Sequence, residues 1–83
     1  MAVKVKMYTL STCSHCKATK QFMNENKVEY EYVDVDLLDG EDRKSAIEEV
    51  KKFNSHLSFP TIIIGERIIV GFREDEIREV LGL

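Results

Sequence analysis

Cys13 and Cys16 are the only cysteines in this chain, and they stand three apart in Cys13-Ser14-His15-Cys16. Residues three apart on a helix lie on neighbouring positions of one turn, so two such sulfurs can meet. A strand pattern runs into the pair and a helix pattern runs out of it, which sets Cys13 at the opening of the helix. There the free backbone N–H groups and the positive end of the helix dipole favour a thiolate, the form that attacks disulfides. The chemistry that fits is thiol–disulfide exchange. Cys13 is placed as the attacking thiol. Cys16, one turn in and expected to be more buried, keeps its proton longer and resolves the mixed disulfide.

His15 lies between the two cysteines. Its imidazole could stabilise the Cys13 thiolate and make the disulfide more oxidising, or it could be a solvated histidine. Lys17 adds positive charge nearby, with a solvated helix lysine as its plainer reading. A C-x-x-C pair also serves metals. A structural zinc takes four ligands, and the only Cys and His side chains are Cys13, Cys16, His15 and His56. His15 is boxed in by the pair and His56 is far along the chain, so no metal is expected. An iron–sulfur cluster shared between two chains, and a pure interaction domain that merely keeps the fold, are the rival readings.

The whole chain limits the remaining classes. With 83 residues, one domain over 1–83 is expected. The net charge of −3 lacks the basic footprint of a nucleic-acid binder. No apolar run approaches the roughly 20 residues that cross a membrane. Met1-Ala2-Val3-Lys4-Val5-Lys6 alternates apolar and basic, unlike a signal peptide, so the cytoplasm is the expected location. In that reducing compartment a C-x-x-C pair is more often catalytic or metal-binding than structural.

The elements that must hold the dithiol follow from periodicity. Val3, Val5 and Met7 alternate with Lys4, Lys6 and Tyr8, a strand over about 3–8, with Thr9 to Thr12 as the loop. A helix runs from Ser14 to about Asn26, with Ala18, Thr19, Phe22 and Met23 on one face. A second strand spans 28–36, although its alternation slips: Tyr30 and Tyr32 share one parity, Val33 and Val35 the other. Asp39-Gly40 signals a turn, and a helix follows over 41–54 with Ala46, Ile47, Val50 and Phe53 as its apolar stripe. Thr61-Ile62-Ile63-Ile64 and Arg67 to Val70 form a hairpin about Gly65-Glu66. Arg73 or Glu74 starts a last helix that faces the core with Ile77, Val80 and Leu81. The order is β-α-β-α-β-β-α, an α/β fold of four strands and three helices whose first two strands are parallel. Pro60, the one proline, opens the third strand. Local sequence alone does not make its peptide bond cis.

With Cys13-Ser14-His15-Cys16, Ser58-Phe59-Pro60-Thr61 and Val70-Gly71-Phe72-Arg73 in place, the chain resembles the glutaredoxin family of the thioredoxin superfamily. Met7-Tyr8-Thr9 before the dithiol and Val33-Asp34-Val35-Asp36 in the second strand extend the likeness nearly end to end. The resemblance implies a thioredoxin fold with sheet order 2-1-3-4 and a cis Pro60 facing the dithiol. It also implies Cys13 as nucleophile, Cys16 as resolving thiol, and substrate contacts from Thr12, Ser58, Phe59, Pro60, Gly71 and Phe72. No bound cofactor is implied beyond a redox-active Cys13–Cys16 disulfide, with glutathione as the co-substrate of many members.

The departures choose a branch. Glutaredoxins commonly carry Pro-Tyr where Ser14-His15 stands, a glutathione-holding Lys where Leu10 stands, and Thr-Val where Ser58-Phe59 stands. A Gly-Gly pair followed by acidic residues is here Val70-Gly71 followed by Phe72-Arg73. Gly71-Phe72-Arg73 with Asp75, and Lys17-Ala18-Thr19-Lys20, look more like the redoxins that feed electrons to ribonucleotide reductase. Those are recharged by thioredoxin reductase rather than glutathione. The expected protein is then a monomer that offers disulfide-containing proteins an apolar surface of Phe59, Phe72 and Ile69. The alternatives are a glutathione-dependent glutaredoxin and a Phe72 that merely staples the last helix.

Overall fold

The computed structural model describes residues 4–83. Strand β1 is Val5–Thr9 and helix α1 is Ser14–Glu25. Strand β2, Glu31–Asp34, runs into a short 3-10 turn, Val35–Leu37. Helix α2 is Gly40–Phe53, strands β3 and β4 are Thr61–Ile64 and Arg67–Val70, and helix α3 is Glu74–Leu81. The strands form one sheet in the order β2-β1-β3-β4. β1 runs parallel to β2 (Tyr8 beside Val33) and antiparallel to β3 (Tyr8 beside Thr61), and β4 folds back antiparallel on β3 (Thr61 beside Val70). This is the four-stranded mixed sheet with three helices that the sequence implies. Val3, assigned to the first strand by alternation, lies outside the described residues.

The period-two pattern sorts side chains onto two faces of the sheet. Val5, Met7, Ile62, Ile64 and Ile69 join Phe22 and Met23 of α1 and Ile77 of α3 in one buried cluster. Tyr8, Val35, Ala46 and Val50 form a smaller one under α2, with Ile47, Leu57 and Phe59 packed partly against it. Burying one such side chain contributes about 1.5–3 kcal/mol. Tyr8, set among the polar positions by alternation, is therefore buried, because α2 covers the face it points to. Phe53, the last residue of α2, is 37% exposed rather than part of the core. It sits at the rim of a shallow groove lined also by Lys4, Lys6 and Ile63.

The second strand is shorter than the 28–36 its composition predicts. Lys27 adopts a positive φ of 57° just after α1, and Val28 donates its N–H back to Met23, so the chain is still leaving the helix at that point. At the other end the 3-10 turn carries Val35 under α2. The slip in alternation has a plain origin. β2 is an edge strand whose Tyr32 is 51% exposed, with the Lys20 ammonium 4.0 Å from its ring centre as partial cover.

The helix ends also follow from sequence. Asn26 closes α1, its backbone N–H and its side-chain amide both donating to the Phe22 carbonyl. Glu41 and Asp42 open α2 and Lys51 and Lys52 close it, each beside the dipole end of opposite sign. No helix among the described residues is long and apolar enough to cross a membrane.

Candidate active site

Strand direction gathers the candidate residues. β1 ends, β3 begins and β4 ends on the same side of the sheet. The dithiol loop, the proline loop and the Gly71 turn therefore meet there. Gly71 donates its N–H to the Pro60 carbonyl at 2.8 Å, which ties the latter two together. Gly71 itself holds φ at +87°, a conformation that side chains disfavour. The Phe59–Pro60 bond is cis.

Cys13 is the N-cap of α1 and is half-buried. Its sulfur accepts the Cys16 backbone N–H at 3.3 Å. That donor is one of the unpaired N–H groups of a helix start, and an anionic sulfur accepts it more strongly than a neutral one. Cys16 is wholly buried behind it. Burial first, and then the hydrogen bond of its thiol to Cys13, push the Cys16 pKa up to about 12. A backbone hydrogen bond at Leu10 and the Lys20 charge pull the other way without overcoming these. Both cysteines are free thiols, Cys13 half-buried and Cys16 buried.

The loop that delivers Cys13 is anchored from below. Ser11 donates its backbone N–H, at 2.8 Å, and its hydroxyl to the two oxygens of Asp36. These two bonds hold the Asp36 carboxyl below its ordinary range. Beside them, Thr9 is fully buried and donates its hydroxyl to Asp34, which also takes the Lys20 ammonium at 3.0 Å. Alternation leaves Thr9 to the loop, whereas it is the last residue of β1. Neither anchor was assigned a role from sequence. The Val33-Asp34-Val35-Asp36 pattern was the available signal, since both acids sit where β2 passes the dithiol loop.

His15 and Lys17 are exposed on the first turn of α1, and Thr12 is exposed just before Cys13. Phe59 and Phe72 are both half-buried, but on opposite faces. Phe59 leans on the α2 cluster, while Phe72 packs edge-on against Phe22 of α1 with ring centres 5.8 Å apart. Phe72 thus docks the start of α3, as the plainer reading of it held, and keeps part of its surface in solvent. Ile69 leaves the expected apolar rim altogether. It is 2% exposed and belongs to the core, because in the Ile68-Ile69 pair it is Ile69 that points under α1 and α3. His56 is exposed on the loop before β3, and among the described residues no three His, Cys, Asp or Glu side chains gather as metal ligands.

Comparison with known proteins agrees with this architecture. The Glutaredoxin family model matches residues 5–69. A glutaredoxin-like 8.6 kDa protein of the rubredoxin operon of Clostridium pasteurianum is 34% identical over 77 residues, which is 93% of this chain and 96% of that protein. The crystal structure of methanoredoxin from Methanosarcina acetivorans is similar with a TM-score of 0.91 at 51% identity, covering 96% of this chain and 85% of that one. The glutaredoxin-like NrdH-redoxin of Escherichia coli, described as having a thioredoxin-like activity profile, matches with a TM-score of 0.72 at 28% identity, covering 92% of each chain. With most of its length matched by that family model, and a sheet and helices shared with these structures, the chain belongs to the glutaredoxin family and is a glutaredoxin-like thiol redox protein.

Proposed function

We propose that the protein reduces disulfides in other proteins through Cys13 and Cys16. The Cys13 thiolate attacks one sulfur of the substrate disulfide, forms a mixed disulfide and releases the other substrate sulfur as a thiolate. Cys13 is then neutral and no longer accepts a hydrogen bond from Cys16. Two of the three causes that hold the Cys16 proton are thereby removed, leaving burial. Cys16 gives up its proton, to the released substrate thiolate or to water, and attacks the Cys13 sulfur. The second substrate thiol leaves, and two electrons have moved from the Cys13–Cys16 pair, now a disulfide, to the substrate.

One observation carries this reading. A half-exposed sulfur caps a helix and accepts the N–H of Cys16, whose own thiol is buried on the same helical turn. The half-exposed Phe59 and Phe72 on either side of the sheet fit an apolar protein partner better than a small charged thiol. The proposed substrates are disulfide-forming enzymes such as ribonucleotide reductase, in a reducing compartment such as the cytoplasm. The proposed electron source is thioredoxin reductase. The departures from the glutathione-binding pattern at Leu10, Phe59 and Phe72 support this, as does the described profile of NrdH-redoxin. Glutathione as reductant is the alternative.

Oxidised protein offered to NADPH with thioredoxin reductase, and in parallel to glutathione with its own reductase, decides between the two. Turnover in the first assay alone is expected. Turnover only with glutathione overturns the choice of reductant and leaves the dithiol chemistry intact. Failure of the reduced protein to reduce insulin disulfides overturns the function itself.

A further inference from the structure

The loop between α2 and β3 is built around one polar side chain. Asn54 follows the last residue of α2 and is only 7% exposed. Both ends of its amide are used on the loop that follows. Its oxygen accepts the His56 N–H at 3.1 Å, and its nitrogen donates to the Ser58 carbonyl at 3.1 Å. The same Ser58 carbonyl accepts a second hydrogen bond, at 2.8 Å, from the hydroxyl of Thr61, which is fully buried. A loop carbonyl held by two buried donors cannot turn outward without leaving both unpaired, which is costly where water does not reach them.

The consequence falls on the next residue. The Ser58–Phe59 peptide is trans. In a planar trans peptide the C=O and the following N–H point in opposite directions. Holding the Ser58 carbonyl inward therefore aims the Phe59 N–H outward. That N–H has no hydrogen-bond partner among the described residues, and it lies at the end of the sheet where Cys13 is presented. An extended chain that brings its disulfide to Cys13 can supply the carbonyl it lacks, as a strand does at a sheet edge.

We infer that Asn54, together with Thr61, is a positioning residue of the substrate-binding loop: the two orient the Ser58–Phe59 peptide so that the Phe59 N–H is presented to an extended polypeptide substrate. This rests on the proposed reduction of protein disulfides and assigns to two side chains behind the loop the task of holding its backbone for such a substrate. Nothing in it depends on which reductant recharges the dithiol.

The test is steady-state reduction of insulin by the full chain carrying Asn54→Ala, Asn54→Asp, Thr61→Val or Thr61→Ser. Asn54→Ala and Thr61→Val are expected to raise KM about tenfold, which corresponds to about 1.4 kcal/mol and to one misplaced hydrogen bond, with kcat within a factor of two. Thr61→Ser keeps the hydroxyl and restores KM. Asn54→Asp keeps the acceptor for His56 but loses the donor to Ser58, so it behaves like Asn54→Ala. Thr61→Val replaces a hydroxyl by a methyl group of similar size and keeps the test alive if the Asn54 variants fold poorly. The idea is overturned if KM stays at the wild-type value in Thr61→Val, or if Asn54→Asp restores it. A separate readout needs no substrate: the Phe59 amide of the wild type should exchange with solvent as fast as an open loop amide, and strong protection overturns the assignment. If the wild type does not reduce insulin at all, the proposed function fails, and the orientation of the Phe59 N–H is judged by its exchange alone.

Discussion

Cys13 and Cys16 share one turn of α1, and almost nothing else about their surroundings agrees. Cys13 is at the mouth of the turn, half-exposed, and its sulfur takes the N–H of Cys16. Cys16 is at the floor, 0% exposed, with its proton held by burial and by Cys13. The side chains are identical, so the difference comes entirely from position. One residue sits before the first helical hydrogen bonds form and faces their unpaired donors. The other has already turned under the sheet. A single helix start thus gives one residue type two settings, an open sulfur and a buried one, which the proposed reaction uses as attacking and resolving thiols.

The largest effect should come from removing the mouth. Cys13→Ser should lower insulin reduction at least a thousandfold, since the other cysteine, Cys16, is buried. Cys16→Ser should leave capture intact and stop the cycle at a mixed disulfide, visible by mass spectrometry as one substrate chain bound per protein. Equal loss in the two variants, with no trapped adduct in Cys16→Ser, would break the division of roles. Next in size is the contrast in labelling. With its pKa near 12, Cys16 is almost entirely thiol at pH 8. Iodoacetamide should then modify Cys13 at least a hundred times faster at pH 8. Peptide mapping that found similar rates would erase the distinction.

The same proton leaves a mark on stability. The folded-state pKa of Cys16, about 12, lies above the ordinary value of 9.0, so the folded protein holds that proton more tightly than the unfolded chain does. The contribution is fully present below pH 9 and is lost as pH rises toward 12. Urea unfolding should show stability falling by roughly 1 kcal/mol per pH unit in that window, beyond the trend in Cys16→Ala. Parallel trends in the two proteins would mean that the floor cysteine carries no such constraint.

How much of this could be read from the chain depends on how local each feature is. The dithiol, α1 and the hairpin follow from short-range patterns: a three-residue spacing, one apolar helical face, and Gly65-Glu66 between two apolar runs; the strand order comes only with the family resemblance. The limits of β2 were not legible, because the turn out of α1 at Lys27 and the 3-10 turn that carries Val35 under α2 cut short a run whose composition reads as strand throughout. Ile68 and Ile69 are the same residue side by side, so only the fold decides that Ile69 enters the core and leaves the substrate rim. Tyr8 was misplaced for a related reason, as a strand buried on both faces loses its polar side. The anchors beneath the site are the least legible. Ser11 and Asp36 are 25 apart in sequence, and Lys20 and Asp34 are 14 apart. Asn54 looks like an ordinary loop residue until the loop closes over it.

The smallest predicted effect separates mouth from floor most cleanly. Asp36 holds Ser11, two residues before Cys13, and touches nothing near Cys16 except through that loop. Its carboxyl titrates below the ordinary 3.8, chiefly because the Ser11 hydroxyl and N–H favour the charged form. Stability from this anchor is therefore present above about pH 4 and fades as the pH falls through the lowered value. Ser11→Ala deletes the hydroxyl and keeps the N–H, so the Asp36 titration followed by NMR should move part of the way back toward 3.8. If Cys13 owes its setting to its place at the helix start, loosening Ser11 should slow its alkylation by about two- to threefold, the scale of one exposed hydrogen bond. Cys16 labelling should stay as it was, since burial beneath the sheet does not depend on Ser11. A change shared equally by both cysteines would show that mouth and floor move as one unit, and the contrast between them would then belong to α1 as a whole rather than to the loop that presents Cys13.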